Sequence, residues 1–276
     1  MTFGLIIIGD EILSGKRKDA HFSKVVELLR ARGLQLAWAQ YLGDEPARIT
    51  ATLRRTLATE DIVFCCGGIG ATPDDHTRQC AAAAAGVALV LHPEAKLKIE
   101  ERIRETAAEA GTVPDLQAAD NLQRLKMGEF PEGAEIIGNP FNKIPGFSII
   151  NASNTNAGRH YFFPGFPVMA WPMIESVLES RHAHLFHQTK HWEQSVIVYD
   201  VAESTLTPLM ETIEAEFQKV KVFSLPNVGD AETQRHIELG VKGEPEQAAA
   251  AFAKMLAVLQ HMGARHEAPP EAKRGA

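Results

Sequence analysis

Residues 61–77 read DIVFCCGGIGATPDDHT, and this stretch decides the fold. Its first part, Ile62–Cys66, is an uninterrupted apolar run, which is typical of a strand buried on both faces of a parallel sheet. Three glycines follow where the strand ends. Because they have no side chain, the backbone there can take positive φ and lie against a ligand. They are Gly67, Gly68 and Gly70, and residues 67–70 are named the glycine loop.

Residues 72–77 are predicted to form the start of a helix. Thr72 is the expected cap, Pro73 suits the first turn, and Asp74 and Asp75 favour the positive end of the helix dipole. A glycine turn between a strand and a helix start presents N–H groups to an anion. The two aspartates would repel a bare phosphate, so we expect a divalent cation to bridge them to it. The alternative is a tight loop with an acidic cap and no ligand.

Acidic residues also follow two other predicted strands, at Phe3–Ile8 and at residues 34–42. Because ligands of open α/β sheets bind at the carboxyl ends of strands, we expect these residues near the glycine loop. Convergence of carboxylates from three loops favours a bound cation. The alternatives are a solvated loop after the first strand and a helix cap after the second. The residues, with one flanking glycine, are Gly9, Asp10, Glu11 and Asp44.

The first 90 residues alternate strand and helix three times. This order predicts an α/β fold, a doubly wound and mostly parallel sheet with right-handed crossovers. We predict that this α/β domain covers residues 1–181 and that residues 182–191 form a linker. A smaller α+β domain of order β-α-β-β-α is predicted over residues 192–264, followed by a tail over 265–276.

Three further local patterns lead to predictions. A helix from Pro93 is expected to turn Leu97, Ile99 and Ile103 inward. A proline and a glycine precede another helix start, where N–H groups could meet an anion; a rigid turn is the alternative. Four histidines lie within ten residues, but their spacing favours a linker over a metal site. The proline and glycine are Pro164 and Gly165. The four histidines are His182, His184, His187 and His191.

Composition excludes several classes of function. The net charge of −7 over 276 residues indicates no nucleic-acid surface. The three cysteines lack metal-type spacing and are expected to be reduced core residues of a cytoplasmic protein. No apolar run approaches the roughly 18 residues of a membrane span, and the first strand lacks the basic flank of a signal peptide. We therefore expect no membrane partner.

The acidic and glycine motifs, taken in order, resemble a known family. Residues 9–15 (GDEILSG), Gly43-Asp44 and residues 67–77 are similar to the molybdopterin-binding domain family of molybdenum cofactor biosynthesis. Within it, the similarity is strongest to the amino-terminal part of competence/damage-inducible protein A (CinA). Further matches, within residues 139–147 and 164–167, extend the resemblance to about residue 180. It implies a three-layer sandwich, and residues 192–264 resemble the extra domain that follows in the CinA group.

The resemblance also implies a ligand and a set of site residues. Family members adenylylate molybdopterin with Mg-ATP, and some CinA-type relatives hydrolyse ADP-ribose at its pyrophosphate. Asp44 and Asp75 correspond to the acidic residues that serve this chemistry, and would be catalytic and hold Mg²⁺ or another divalent cation. The ligand, a pterin phosphate (molybdopterin) or an adenine nucleotide, would contact Gly9, Asp10, Glu11, Gly67, Gly68, Gly70, Thr72, Asp74, Thr77, Pro164 and Gly165.

Three functions remain open at this point: a metal-dependent nucleotide pyrophosphatase, a molybdopterin-binding or adenylylating protein, and a non-catalytic nucleotide-binding module. The chain departs from the family pattern at four positions that bear on substrate identity. The resemblance further implies a homodimer or homotrimer, and we expect the deamidase activity of full-length CinA to be missing from this chain. The four positions are His21, Ala71, Phe166 and Met169.

Overall fold

The computed structural model describes residues 2–150, 158–188, 192–229 and 233–270. The chain separates into two compact units, Met1–Phe186 and His187–Ala276. The turn predicted at residues 151–158 and His191 of the histidine group lie largely or wholly outside the described residues. In the described part of the chain, no helix is both long and apolar enough to cross a membrane.

The first unit alternates strands and helices. Its strands are β1 (Phe3–Ile8), β2 (Leu36–Leu42), β3 (Ile62–Cys66), β4 (Leu89–Leu91), β5 (Glu129–Pro131), β6 (Glu135–Ile137), β7 (Gly146–Ile150) and β8 (Arg159–Phe163). Its α-helices are α1 (Asp10–Leu13), α2 (His21–Arg30), α3 (Pro46–Leu57), α4 (Thr77–Ala85), α5 (Pro93–Glu109), α6 (Ala119–Leu125) and α7 (Pro167–Arg181). Short 3₁₀ turns lie at Lys126–Gly128 and Ala183–Leu185.

Six strands form one sheet in the order β2-β1-β3-β8-β7-β6. β2, β1, β3 and β8 are parallel to their neighbours in this order, whereas β7 is antiparallel to β8 and β6 is antiparallel to β7. This arrangement confirms the predicted mostly parallel, doubly wound α/β fold. β4 and β5, which the sequence pattern did not predict, pair in a separate antiparallel sheet.

Both faces of the sheet are buried. Consecutive side chains of its central strands point to opposite faces, and helices pack on each face. Phe64 packs in a core with residues of α2 and α7, whereas Val63 and Cys65 pack in a second core with residues of α3 and α4. All five residues of β3 are buried. Two helical layers therefore cover the faces of the sheet, and a ligand can reach the sheet at the ends of its strands.

The structure differs from two local expectations next to the site. The helix begins at Thr77, so Thr72 is not its cap and Pro73 is not in its first turn, and Thr72 to Asp75 form a separate turn. The loop expected after β1 contains the short helix α1. The Asp75 carboxylate accepts the Thr72 N–H within the turn, which stabilises it locally. At the start of α1, the Asp10 N–H donates to the Asp44 carboxylate of another loop, a contact that residue preferences do not specify.

Helix α5 buries a different stripe from the predicted one. Ile99 and Ile103 are buried as expected, but Leu97 is exposed and Ala95 takes its place in the core. The buried residues follow a strict spacing of four, which keeps them on one face of the helix.

The second unit is a small α+β sandwich with strands β9 (Trp192–Tyr199), β10 (Val220–Asn227), β11 (His236–Gly243) and β12 (His266–Glu267) and helices α8 (Glu203–Glu216) and α9 (Pro245–His261). Its antiparallel sheet has the order β10-β11-β9-β12. The predicted tail, 265–276, therefore contains a paired strand. Likewise, residues 182–186 of the predicted linker belong to the first unit.

Candidate functional site

A crevice of about 580 Å³ opens at the carboxyl ends of β1, β3 and β8 in the first unit. This is the edge of the sheet at which the sequence predicted a ligand. Most of the predicted site residues line it: Gly9, Glu11, Asp44, Gly67, Gly68, Gly70, Thr72, Asp74, Asp75, Pro164 and Gly165. Asp10 and Thr77 do not line it, and their side chains hold neighbouring backbone instead.

The glycine loop has the backbone conformation that its glycines permit. Gly67 and Gly68 have φ values of 109° and 69°, in the region that favours glycine. The loop is fixed from below by Thr77, a fully buried residue. The Thr77 hydroxyl donates to the carbonyl oxygen of Gly67 at 3.0 Å, and the Thr77 N–H donates to that of Gly68 at 3.0 Å. Thr77 therefore supports the loop instead of facing the crevice.

The N–H groups of the loop differ in what they bind. The Gly67 N–H donates to the Phe163 carbonyl oxygen at 3.0 Å and continues the sheet. Among the described residues, by contrast, the N–H groups of Gly68, Ile69 and Gly70 have no hydrogen-bond acceptor. Successive free N–H groups at the end of a strand form a concave site for an anionic oxygen.

Asp75 closes the turn that follows the loop. Its Oδ2 accepts hydrogen bonds from the N–H of Thr72 at 2.8 Å and from the Thr72 hydroxyl at 2.6 Å. A Cβ on Gly70 would lie 2.5 Å from the same oxygen, so only glycine allows this close approach. The Asp75 carboxylate is thus held against the glycine loop while it lines the crevice.

Asp44 and Asp10 are joined across two loops. Asp44 Oδ2 accepts the Asp10 N–H at 2.8 Å, and Asp10 Oδ1 accepts the Asp44 N–H at 3.2 Å. The predicted alternative of a cap on α3 is wrong, because Glu45 occupies the N-cap position and Asp44 bonds to the first residue of α1. The reciprocal pair fixes the Asp44 carboxylate at the crevice wall.

The environment of Asp44 is strongly acidic. Burial raises its pKa, the hydrogen bond from the Asp10 N–H lowers it, and the nearby carboxylates of Asp10, Glu11 and Asp74 raise it further. Each of these three carboxylates therefore repels the charged form of Asp44. A bound cation would relieve that repulsion.

Carboxylate oxygens are the donors that Mg²⁺ prefers, so the donor set fits a hard divalent cation. In the described part of the chain, no group of three or more His, Cys, Asp or Glu side chains is arranged to hold a metal. Mg²⁺ commonly uses one or two carboxylates and completes its shell with phosphate oxygens and water. Asp44 is the residue here best placed by its charged neighbours to supply such a ligand.

Several crevice residues were missed from the sequence because they do not belong to a glycine or acidic motif. Arg17 is the cationic side chain among the residues that line the crevice. Arg78 is buried beneath the loop and donates to the Gly70 carbonyl oxygen at 2.7 Å. The lining also has an apolar part. It includes Phe166 and Met169, which the sequence marked only as departures from the family pattern, and three residues that were not predicted to lie there: Met127, Ile144 and Pro145.

Comparison with known proteins identifies the family. The sequence model of the family described as "Probable molybdopterin binding domain" matches residues 4–184, which include every residue that lines the crevice. The chain belongs to this family. The resemblance seen in the sequence motifs is thereby confirmed.

The curated relatives match different lengths of this chain. A CinA-like protein of an Anaeromyxobacter species is 32% identical over 164 residues, which cover 59% of this chain and 37% of that protein. This chain spans less than half the length of the first three curated relatives, all CinA-like proteins. A protein of Thermoplasma acidophilum is 28% identical over 246 residues, with 88% of each chain covered.

A solved structure agrees with the fold of this member of the family. The crystal structure of the protein CinA of Thermoplasma acidophilum, described as having unknown function, has a TM-score of 0.53 at 24% identity. The match covers 65% of this chain and 98% of that one.

Proposed function

We propose that the crevice binds a phosphorylated nucleotide or pterin and hydrolyses a nucleotide pyrophosphate such as ADP-ribose. The observation that carries this proposal is the convergence of free N–H groups and carboxylates in one crevice. The N–H groups of Gly68, Ile69 and Gly70 suit a phosphate oxygen, and Asp44 and Asp75 line the same space. A phosphate alone would be repelled by these acids, so the ligand enters with a divalent cation.

The residues of this chain have separate parts in the proposed reaction. Water attacks one phosphorus, a P–O bond forms, the bridging P–O bond breaks, and AMP and ribose 5-phosphate leave as dianions with release of two protons to solvent. The glycine-loop N–H groups donate to the oxygen on which negative charge develops. Asp44 and Asp75 would hold the cation and accept a hydrogen bond from the attacking water. When bound, the cation would neutralise negative charge on the pyrophosphate.

Hydrolysis of ADP-ribose and of FAD tests the proposal, with release of AMP measured in the presence and absence of Mg²⁺ or Mn²⁺. We expect metal-dependent turnover that falls by about 100-fold or more in Asp44→Asn, since the charge that holds the cation is removed. Asp120→Asn is the control, because Asp120 is an exposed acid on α6 that does not line the crevice. The absence of turnover with either substrate and either metal would rule out the pyrophosphatase.

Molybdopterin binding is the second candidate function, because the description of the family names that ligand. It uses the same phosphate contacts and needs no hydrolysis. Calorimetric titration with the pterin would show saturable binding and no AMP release if this candidate is correct. Tight binding of AMP without turnover would instead favour a non-catalytic nucleotide-binding module.

A further inference from the structure

An exposed aromatic ring stands at the wall of the crevice. Phe166 is 53% exposed, and the guanidinium carbon of Arg17 lies 5.8 Å from the centre of its ring. Both residues line the crevice. Leaving a large apolar ring in water has a free-energy cost that burial against a ligand would recover. A planar cation beside an aromatic face also makes a surface suited to flat, electron-rich rings.

The backbone that carries this ring is rigid. The Phe166 carbonyl oxygen accepts the N–H groups of Met169 at 3.0 Å and Ala170 at 2.9 Å, which fixes Phe166 at the start of α7. The preceding carbonyl oxygen, of Gly165, lies 3.0 Å from Nε2 of the buried His21. A hydrogen bond from this ring nitrogen holds the turn, so Phe166 is presented to the crevice from a preformed support.

Phe166 also lies next to the phosphate-binding end of the crevice. A Cβ on Gly165 would be 3.5 Å from the Gly67 Cα, so the turn before Phe166 contacts the glycine loop. The other apolar lining residues add to the same chemistry, whereas the remaining lining includes the loop amides and the acids. The crevice thus offers an apolar surface and an anion site within one space. The apolar residues are Met127, Ile144, Pro145 and Met169.

We infer that Phe166 and Arg17 bind the planar heteroaromatic ring of the ligand, adenine or pterin, and so determine its specificity. The ring stacks on Phe166, and Arg17 covers its outer face. A ligand ring between Phe166 and Arg17 needs about 7 Å between these two side chains, which is twice the van der Waals contact distance of about 3.5 Å. Arg17 is exposed and unbranched, so its side chain moves outward to admit the ring. This inference rests on the proposed function only for the phosphate at the glycine loop.

Calorimetric titrations of the full chain with three probes in Mg²⁺ test the stacking. AMP carries base and phosphate, ribose 5-phosphate lacks the base, and adenosine lacks the phosphate. Since a base stacked on an aromatic side chain gains about 1–3 kcal/mol, we expect Phe166→Ala to weaken AMP about 5- to 150-fold. Ribose 5-phosphate should change less than two-fold. Phe166→Trp keeps a ring and should retain AMP affinity, and Arg17→Met should weaken AMP more than ribose 5-phosphate.

Phe22→Ala is the matched control, because Phe22 is a surface aromatic residue, 41% exposed, that does not line the crevice. It should leave all three affinities unchanged. If ribose 5-phosphate binds but Phe166→Ala leaves AMP affinity intact, or weakens both probes equally, the stacking is overturned and the phosphate site stands. If adenosine binds in a Phe166-dependent way and ribose 5-phosphate does not bind, the stacking stands and the phosphate site fails. Absence of binding by all three probes overturns both.

Discussion

Arg78 donates from Nη2 to the carbonyl oxygen of Gly70 at 2.7 Å, and it does so from a buried position, 3% exposed, beneath the glycine loop. Its Nη1 donates to the carbonyl oxygen of Lys126, so one guanidinium joins the loop to the segment that carries Met127. Burial lowers the Arg78 pKa, while the nearby carboxylates of Glu129 and Asp75 raise it. The loop therefore depends on a cation that the crevice itself does not expose.

Replacing Arg78 by lysine should destabilise the first unit and loosen the loop. Lysine is a point charge without the planar fork, so it cannot keep both carbonyl contacts, and one buried carbonyl is left without a donor. We expect a loss of about 1–3 kcal/mol in the free energy of unfolding, measured with urea, and weaker AMP binding. Arg104→Lys on the exposed face of α5 should change stability by less than about 0.5 kcal/mol. Equal effects of the two substitutions would contradict the role given to Arg78.

The glycine loop should tolerate alanine poorly at Gly68. Gly68 and Gly86 have nearly the same φ, 69° and 72°, but a Cβ on Gly68 would lie 2.2 Å from the Thr77 Oγ1, whereas a Cβ on Gly86 would meet nothing within 4 Å. Both changes incur the strain of left-handed backbone, about 1–2 kcal/mol. Gly68→Ala must also displace the buried Thr77 hydroxyl from the Gly67 carbonyl oxygen.

We therefore expect Gly68→Ala to be less stable than Gly86→Ala by about 1–3 kcal/mol, the cost of an unsatisfied buried group. Urea midpoints of the two variants give this difference directly. Gly68→Ala should also weaken AMP, because the loop N–H groups shift, and Gly86→Ala should not. Equal stabilities of the two variants would show that Thr77 moves away from the added Cβ at no cost in free energy, and that the glycine loop is more flexible than proposed.

Asp44→Asn separates charge from hydrogen bonding. The asparagine oxygen can still accept the Asp10 N–H, so the link between the two loops remains, while repulsion from Asp10, Glu11 and Asp74 falls. We expect the free energy of unfolding without metal to be unchanged or higher. Asp44→Ala leaves the N–H of Asp10 without this acceptor and should lose about 1 kcal/mol.

The Mg²⁺-dependent part of ADP-ribose affinity should decrease at least about ten-fold in both Asp44 variants, because a carboxylate ligand of the cation is lost. Titrations with and without Mg²⁺ measure that part. An Asp44→Asn protein that keeps the full metal dependence would place the cation elsewhere in the crevice.

The sequence was most informative where burial alone determines structure. β1 and β3 begin and end at the predicted residues because each is an apolar run with the strand length of a parallel sheet. β4 and β5 were missed, since β4 is three residues long and leaves Val90 and Leu91 exposed. A short, half-exposed strand carries no periodicity that distinguishes it from a loop.

Within the site, the sequence placed the acidic and glycine residues at one sheet edge, but it could not show what each side chain binds. The Asp44 carboxylate contacts the backbone of Asp10, which is 34 residues away in sequence, and such a partner is set by the packing of two loops. Arg17 and Phe166 meet across 149 positions for the same reason. Tertiary contacts of this kind override local preferences for caps and turns.

Stability should fall as pH decreases below neutrality because His160 is buried as a neutral ring. His160 is 1% exposed, and Nε2 lies 2.8 Å from the Thr56 Oγ1. The single Thr56 hydroxyl hydrogen is directed at the carbonyl oxygens of Thr52 and Leu53, which it can share, and Nε2–H is then the donor to Thr56. Burial lowers the pKa of His160 from 6.5 to about 3, and burial likewise lowers the pKa of His182 to about 4.

The direction of this pH dependence follows from whether the folded or the unfolded chain binds a proton at His160. Above pH 6.5 both the folded and the unfolded chain hold His160 neutral, so its contribution to stability is fully present. Between pH 6.5 and about 3, His160 binds a proton in the unfolded chain but stays neutral in the folded chain. Stability contributed by this residue is therefore lost as pH falls through that window, with a slope of up to about 1.4 kcal/mol per pH unit.

His160→Gln should remove this slope, because its amide N–H can donate to Thr56 Oγ1 but does not titrate. We expect urea unfolding of the variant, measured from pH 7 to pH 4.5, to show a pH dependence smaller by about 1 kcal/mol per unit below pH 6. His261→Gln, at an exposed position on α9, should keep the pH dependence of the unsubstituted protein. If His160→Gln also keeps it, the folded protein takes up a proton at His160 together with the unfolded chain, and its burial does not oppose ionisation.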